Sequence, residues 1–366
     1  MRQVIISDTH TKGNIECIHA YLQKNRLKYK IDYIIINGDI LGEHRNKAEP
    51  DDPEKYLKGL SPDSADTIIS SVNEYKAGRF IDEKKKEKLG EAVLTYMHDR
   101  YNYVIRILKE FSQIAPTLFN IGESESPLHY QVIKEIPFLL DIPPDFISKS
   151  ILYTDYRSVY QKFLDKLRAN ESKNLKFIGG TTSLKKNILF VGIPGLNPNS
   201  VPTDTLSELQ EKLTKDLLNS IKRQLSYADK LIIFNHTQSK IAENPFVYKP
   251  GSPAVRSFIQ EMKGRMRQKI FIQSHKHWPT AHFFTNDDFY FLLNNAGIHN
   301  SIFNILEISN KVKCFDIDPK RDKTRELKLY DSYTAEYSSP KERLALNYEN
   351  PDELIKERNL GECSYI

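Results

Sequence analysis

Five apolar, β-branched runs, VIIS, YIIIN, TLFNI, LIIFN and IFIQ, each lead straight into residues able to hold a metal ion. The first closes on Ser7-Asp8-Thr9-His10 and the second on Gly38-Asp39. The third leads into Gly122-Glu123-Ser124-Glu125, the fourth into Asn235-His236 and the fifth into Ser274-His275-Lys276-His277. Short continuous apolar runs of this kind are buried-strand signatures. Ligands at the C-terminal ends of several such strands converge on one rim of a sheet, which is where α/β proteins bind ligands.

The strands at 2–7 and 32–37, joined by an amphipathic helix around 15–28, form a βαβ opening, which favours a parallel sheet with a right-handed crossover. After Asp39 the pattern breaks. Residues 43–66 are charged and Pro-containing, so they read as a loop or lid, and helical stretches follow near 66–77 and 82–113. In the second of these, Leu89, Val93, Tyr96, Met97, Tyr103, Ile107 and Leu108 make a helical stripe. Strand three is expected at 117–121. Residues 126–174 carry no assignable chemistry beyond a Tyr-rich helix near 153–169. Further strands are expected at 175–179, 187–193, 230–234, 269–273, 289–294, 301–307 and 311–316, with a helix at about 205–226. From 318 onward the chain is highly charged with two helical patches, and reads as a tail that packs on the body or on a second copy.

At 366 residues the chain fits one core domain with insertions, and burial at this size needs no disulfide help. The three cysteines, Cys17, Cys314 and Cys363, are widely spaced and odd in number, which argues for a reducing, cytoplasmic setting. With no C-x-x-C pair, a zinc ribbon is excluded. No apolar stretch approaches the roughly 18 residues of a membrane span, and the strand-like RQVIIS opening does not read as a secretory signal. The net charge of +5 is mild and mixed in sign. Lys84-Lys85-Lys86 and the group Arg265, Arg267 and Lys269 read as solvated faces, so nucleic acid is permitted but not indicated.

The order D-x-H, G-D, a G-N-x-[DE]-like third motif, a lone His and a closing H-x-H resembles the calcineurin-like metallophosphoesterase superfamily, over about 1–42, 114–126 and 176–316. The resemblance implies a four-layer α/β/β/α sandwich: a domain over 1–317, a helical insertion or cap at 43–113, and a charged extension at 318–366. It implies two divalent metal ions, with Mn or Fe/Zn suited to mixed His and carboxylate ligands. Asp8, His10 and His277 would hold the first ion, Glu123, His236 and His275 the second, and Asp39 would bridge them. The implied reaction is hydrolysis of a phosphodiester or nucleotide-type substrate by a metal-bridging hydroxide, the ions being about 3.5–4 Å apart. Lys276, between two ligand histidines, and Asn295, in the closing Asn-Asn-Ala-Gly turn, are the candidate substrate-binding residues.

Two letters depart from the family pattern. Glu123 stands where the family has Asn, and Ser124 where it often has His. An added carboxylate cancels the residual positive charge of a two-ion centre. Metal binding should tighten, Lewis acidity should fall, and a phosphate dianion should lose ground to a singly charged diester. Serine has no useful acidity near neutrality, so a protein acid would come from His44 or His129, or the leaving group would need no proton. Two alternatives stay open at this level: a metal-dependent nuclease similar to the double-strand-break repair branch, and a non-catalytic metal-binding scaffold of the same fold.

Overall fold

Successive side chains in a strand point to opposite faces, so a strand that is apolar at every position must be covered on both sides. β1 (Arg2–Ile6) and β2 (Tyr33–Asn37) meet that condition. Val4, Ile6, Ile34 and Ile36 pack towards helices, while Ile5, Tyr33 and Ile35 pack towards a second sheet. The structure is a computed structural model describing residues 1–40, 62–79, 83–125, 153–195, 204–236, 252–266, 268–274, 280–286, 288–294, 297, 301–331 and 340–359.

The other described elements follow in chain order. They are α1 (Lys12–Lys24), α2 (Arg26–Tyr29), α3 (Pro62–Lys76), α4 (Glu83–Ile114), β3 (Thr117–Asn120), α5 (Tyr153–Ala169), β4 (Leu175–Phe177), β5 (Thr182–Lys185), β6 (Ile188–Ile193) and α6 (Asp204–Ile221). Next come β7 (Lys230–Asn235), α7 (Pro253–Glu261), β8 (Gln268–Gln273), β9 (His282–Asn286), β10 (Phe289–Leu293), β11 (Phe303–Ile308), β12 (Val312–Asp318), β13 (Lys323–Leu327) and β14 (Tyr330–Asp331). α8 (Pro340–Asn347) and α9 (Pro351–Arg358) end the series.

One sheet has the order β13-β12-β11-β1-β2-β3-β4 and the other β14-β9-β10-β8-β7-β6-β5. β1 to β4 run parallel to one another, as do β6, β7, β8 and β10. Between the sheets lie Ile5, Ile35 and Leu118 against Phe190, Phe234, Ile272 and Leu292. Ile15, Ile18 and Leu22 of α1, Met97, Val104, Leu108 and Phe111 of α4 and Phe163 of α5 cover the outer face of the first sheet. Leu218 and Ile221 of α6, with Val255 and Phe258 of α7, cover the second. The fold is therefore an α/β/β/α sandwich, as expected. Each fully buried Ile or Phe in it contributes about 1.5–3 kcal/mol.

The described residues bear on two of the expected segments. The stretch 43–113 does not all stand outside the core. Met97, Tyr101, Val104, Leu108 and Phe111 recur at helical spacing and bury one stripe of α4 in the layer over β3. Beyond 317 the chain packs on the body, one of the two arrangements expected for it. β12 runs to Asp318, β13 pairs with β12, and β14 joins the second sheet through β9. Charge hid these strands: β13 reads KTREL, alternating half-buried and exposed positions on a sheet edge. Among the described residues, no helix is long and apolar enough to cross a membrane.

α9 is anchored by Glu357, which accepts hydrogen bonds from Lys323 and Arg325 of β13. Burial acts to raise the Glu357 carboxyl, but those two cations overcome it and hold it down at about 2, from its ordinary 4.5. A depressed carboxylate stabilises the fold fully above 4.5 and ceases to do so as pH falls towards about 2. Wild type should therefore be more stable than Glu357→Gln at pH 6. The gap between their urea midpoints should close between pH 4.5 and 2.

Candidate metal centre

The C-terminal ends of the two parallel strand sets lie on one rim. Asn37, ending β2, donates through Nδ2 to the Asn235 carbonyl ending β7 (3.2 Å), and Asn120, ending β3, donates to the Ile193 carbonyl ending β6 (2.9 Å). The turn after β1 is short because α1 begins at once: Thr11 caps it, its side chain accepting from the Asn14 N–H. Asp8, His10 and Asp39 all take left-handed backbone, at φ 49, 54 and 52, and Gly38 lies at φ 77. Such strain persists where surrounding contacts over-determine it, and it gathers at functional sites. Here the two turns interlock: Asp8 N–H donates to Gly38 O (3.2 Å) and His10 N–H to Asp39 O (3.1 Å).

The third motif presses against the second. A Cβ on Gly38 would lie 2.5 Å from the Gly122 Cα and N, and one on Gly122 would lie 2.1 Å from Asp39 Oδ1. Glycine is required at both positions for this approach. The contact is locked by Glu125, whose carboxylate accepts from the backbone N–H groups of Asp39 (3.0 Å), Ile40 (2.7 Å) and Gly122 (2.8 Å). Tyr101 of α4 donates to the Glu125 carbonyl (2.7 Å), so the helix stripe reaches the site. Burial pushes the Glu125 carboxyl up to about 7 and the Asp39 carboxylate adds to the rise. The Gly122 N–H, His236 and the Ile40 N–H oppose it.

Asp8, Asp39 and His236 each offer a ligand atom, all buried and within 4.8 Å of one another. Each side chain divides its polar atoms between protein and site. Asp39 Oδ1 accepts from the Ser124 N–H (2.8 Å), while Oδ2 faces His236 Nε2 (3.1 Å) and His10 Nε2 (3.8 Å). Asp8 Oδ2 accepts from Ser7 Oγ, while Oδ1 faces His236 Nε2 (3.9 Å). His236 Nδ1 lies 2.5 Å from the Asn37 carbonyl. A carbonyl only accepts, so Nδ1 carries a proton there, and Nε2 is the nitrogen turned towards the two carboxylates. This mixed oxygen and nitrogen donor set, aimed at one point and buried, fits a divalent transition ion. Asp8, Asp39 and His236 would hold it, with His10 alongside.

Of the residues singled out in the sequence, the structure brings together Asp8, His10, Asp39, Ser124 and His236. Ser124 is buried, and among the described residues its Oγ makes no hydrogen bond. Glu123 opens the helical turn Glu123–Glu125, and its side chain lies outside the described residues. So do His44, His129, His275, Lys276, His277 and Asn295. Glu125, which closes the third motif, has three backbone donors that make it the brace of that motif. Sequence reasoning passed over the amides beneath the site: Asn37, Asn120, Asn235 and Asn294. Their signal is an Asn closing an otherwise apolar strand, in YIIIN, TLFN, LIIFN and FLLN.

The calcineurin-like phosphoesterase family model matches residues 1–87, the span that carries the first two motifs. Similar solved structures include a dimetal phosphatase from Danio rerio, with 11% identity, covering 86% of this chain and 95% of that one at a TM-score of 0.40. GAP50, the anchor in the inner membrane complex of Plasmodium, has 14% identity over 94% of each chain, at 0.39. A phosphatase from Mycoplasma pneumoniae has 12% identity, covering 89% of this chain and 90% of that one, at 0.36. No curated protein matches the chain.

Proposed function

We propose that the protein is a metal-dependent phosphoesterase acting on a phosphodiester or nucleotide-type substrate, with Asp8, His10, Asp39, Glu123, His236, His275 and His277 as the ligands of two divalent ions. The observation that carries this reading is the convergence of Asp8, Asp39 and His236, whose other polar atoms are already tied to the protein. Bound divalent ions supply charge that polarises a phosphoryl oxygen and brings the pKa of water towards neutrality. The chain's part is to fix the two carboxylates and His236 through their hydrogen bonds and to bury them, which the geometry supports. A carboxylate at 123, where the family has Asn, favours a singly charged diester over a monoester dianion. Lys276 and Asn295 are the proposed contacts to the substrate phosphate, and His44 or His129 the proposed acid.

Metal-stripped protein should hydrolyse bis-(p-nitrophenyl) phosphate only after Mn²⁺ or Zn²⁺ is restored. Asp39→Asn should lose more metal affinity than the ~10–100-fold of an outer partner, and turnover with it. Firmly bound metal with no turnover on diester, monoester or labelled DNA would instead favour the scaffold reading, and metal-dependent DNA cleavage the nuclease reading.

A further inference from the structure

Beneath the carboxylates runs a buried series of side-chain hydrogen bonds that crosses from the first sheet to the second and back. Asn120 Nδ2 donates to Asn37 Oδ1 (2.8 Å), and Asn37 Nδ2 donates to Ser274 Oγ (2.6 Å). Ser274 Oγ donates to Asn294 Oδ1 (2.7 Å), Asn294 Nδ2 to Ser7 Oγ (2.6 Å), and Ser7 Oγ to Asp8 Oδ2. All six residues are at most 1% exposed. In sheet terms the path is β3, β2, across to the ends of β8 and β10, then back to the end of β1.

The direction of this path is not free. Asn120 Nδ2 also donates to the Ile193 carbonyl, and Asn37 Nδ2 to the Asn235 carbonyl (3.2 Å). A backbone carbonyl has no proton to give, so turning either amide over would set two acceptors against each other. With both amides fixed, Ser274 receives a proton from Asn37 and must spend its own on Asn294. Asn294 then presents its amide nitrogen to Ser7, which has one proton left, and that proton goes to Asp8. Every donor points the same way and the last acceptor is a carboxylate. Such chains polarise along their length, and bonds to an ionised group are the strong ones.

We propose that Ser7, Ser274, Asn37, Asn120 and Asn294 are positioning residues, a one-way relay that fixes the Asp8 carboxylate and turns its Oδ1 towards the metal centre. Because Oδ2 is taken by Ser7, Oδ1 is the oxygen left facing His236 Nε2. Asn37 has a double part, since its backbone carbonyl also accepts from His236 Nδ1. One residue at the end of β2 thereby orients a carboxylate from the first sheet and an imidazole from the second. The proposal rests on the reading of Asp8 as a metal ligand.

The experiment is a calorimetric titration of metal-stripped protein with Mn²⁺ alone, alongside melting of the metal-free form. Ser7→Ala should weaken Mn²⁺ binding by about 10–100-fold, as loss of an outer partner does. Ser274→Ala, two links back, should weaken it less, and should add nothing once Ser7 is alanine. Should Ser7→Ala fold poorly, Ser274→Ala carries the test, since it removes a hydroxyl three links from the ligand. Lower melting temperatures with wild-type Mn²⁺ affinity in both single variants would overturn the relay and leave a packing role. Independent, multiplying losses would overturn it too. Asp8→Asn separates the two claims: wild-type affinity there sinks the assignment of Asp8 itself, whereas lost affinity there with none lost in Ser7→Ala sinks the relay alone.

Discussion

Gly122→Ala is expected to abolish divalent-metal binding while leaving the two-sheet core folded. The objection to alanine is steric alone, for Gly122 is not among the positive-φ glycines. Its Cβ would sit 2.1 Å from Asp39 Oδ1, 2.3 Å from Asp39 N and 2.8 Å from Asp39 Cγ. None of these atoms can swing away cheaply. The Asp39 carboxylate is held by the Ser124 N–H, and the Asp39 N–H by Glu125. The second and third motif turns must therefore part, breaking the Glu125 brace and moving Asp39 Oδ2 off its line with His236. Overpacking of this kind costs about 1–3 kcal/mol, which a two-sheet core of this size survives. The loss of affinity should exceed the ~10–100-fold typical of an outer partner, because Asp39 itself is displaced. Metal content after dialysis and urea unfolding read the two effects separately. Gly13→Ala is the control: nothing lies within 4 Å of its Cβ, and alanine within α1 should gain roughly 0.5–1 kcal/mol. A Gly122→Ala protein that keeps its metal would show that this close approach is not what holds Asp39 in place.

The rim of the sandwich was readable because strands and ligands sit side by side in sequence. VIIS before Asp8, YIIIN before Asp39 and LIIFN before His236 each state a buried strand and a residue at its end. What escaped was read correctly but asked the wrong question. The Asn residues closing those runs read only as strand ends, with the motif letters following them. Yet a buried amide must find partners, and these four find them in strand-end carbonyls, in Ser7, Ser274 and Gln273, and in the bond from Asn120 to Asn37. Glu125 escaped for a related reason: one letter does not say whether a carboxylate meets an ion or backbone N–H groups. The edges escaped for another. KTREL and the Tyr330–Asp331 bridge carry charge because edge strands are protected by it, so the pattern that defines them resembles a tail. Only long-range pairing, β13 on β12 and β14 on β9, distinguishes the two.

Beyond 318 the chain packs into the body, and the large expected effect of that packing lies at Arg358. Its side chain is 1% exposed and its Nη2 meets Asp316 Oδ2, a carboxylate 0% exposed on β12. The guanidinium also lies over the Tyr348 ring, 5.9 Å from its centroid. Around Asp316 the inter-sheet cluster holds Cys314, Leu344, Tyr348 and Leu354, so no water can stand in for the lost cation cheaply. Burial and Asp316 push the Cys314 thiol well up, and burial and Asp316 do the same to the Tyr348 hydroxyl. These groups stay neutral and cannot take over the pairing. Arg358→Leu takes the guanidinium away from a fully buried carboxylate and should destabilise the fold by about 3–5 kcal/mol. The double change Arg358→Leu with Asp316→Leu should recover much of this, because an apolar pair needs no partner. Urea unfolding of the wild type, both single variants and the double variant closes the cycle. If α9 were a loosely attached tail, Arg358→Leu would fall within the ±0.5 kcal/mol or so of an ordinary surface change. It would also leave the main unfolding transition unmoved.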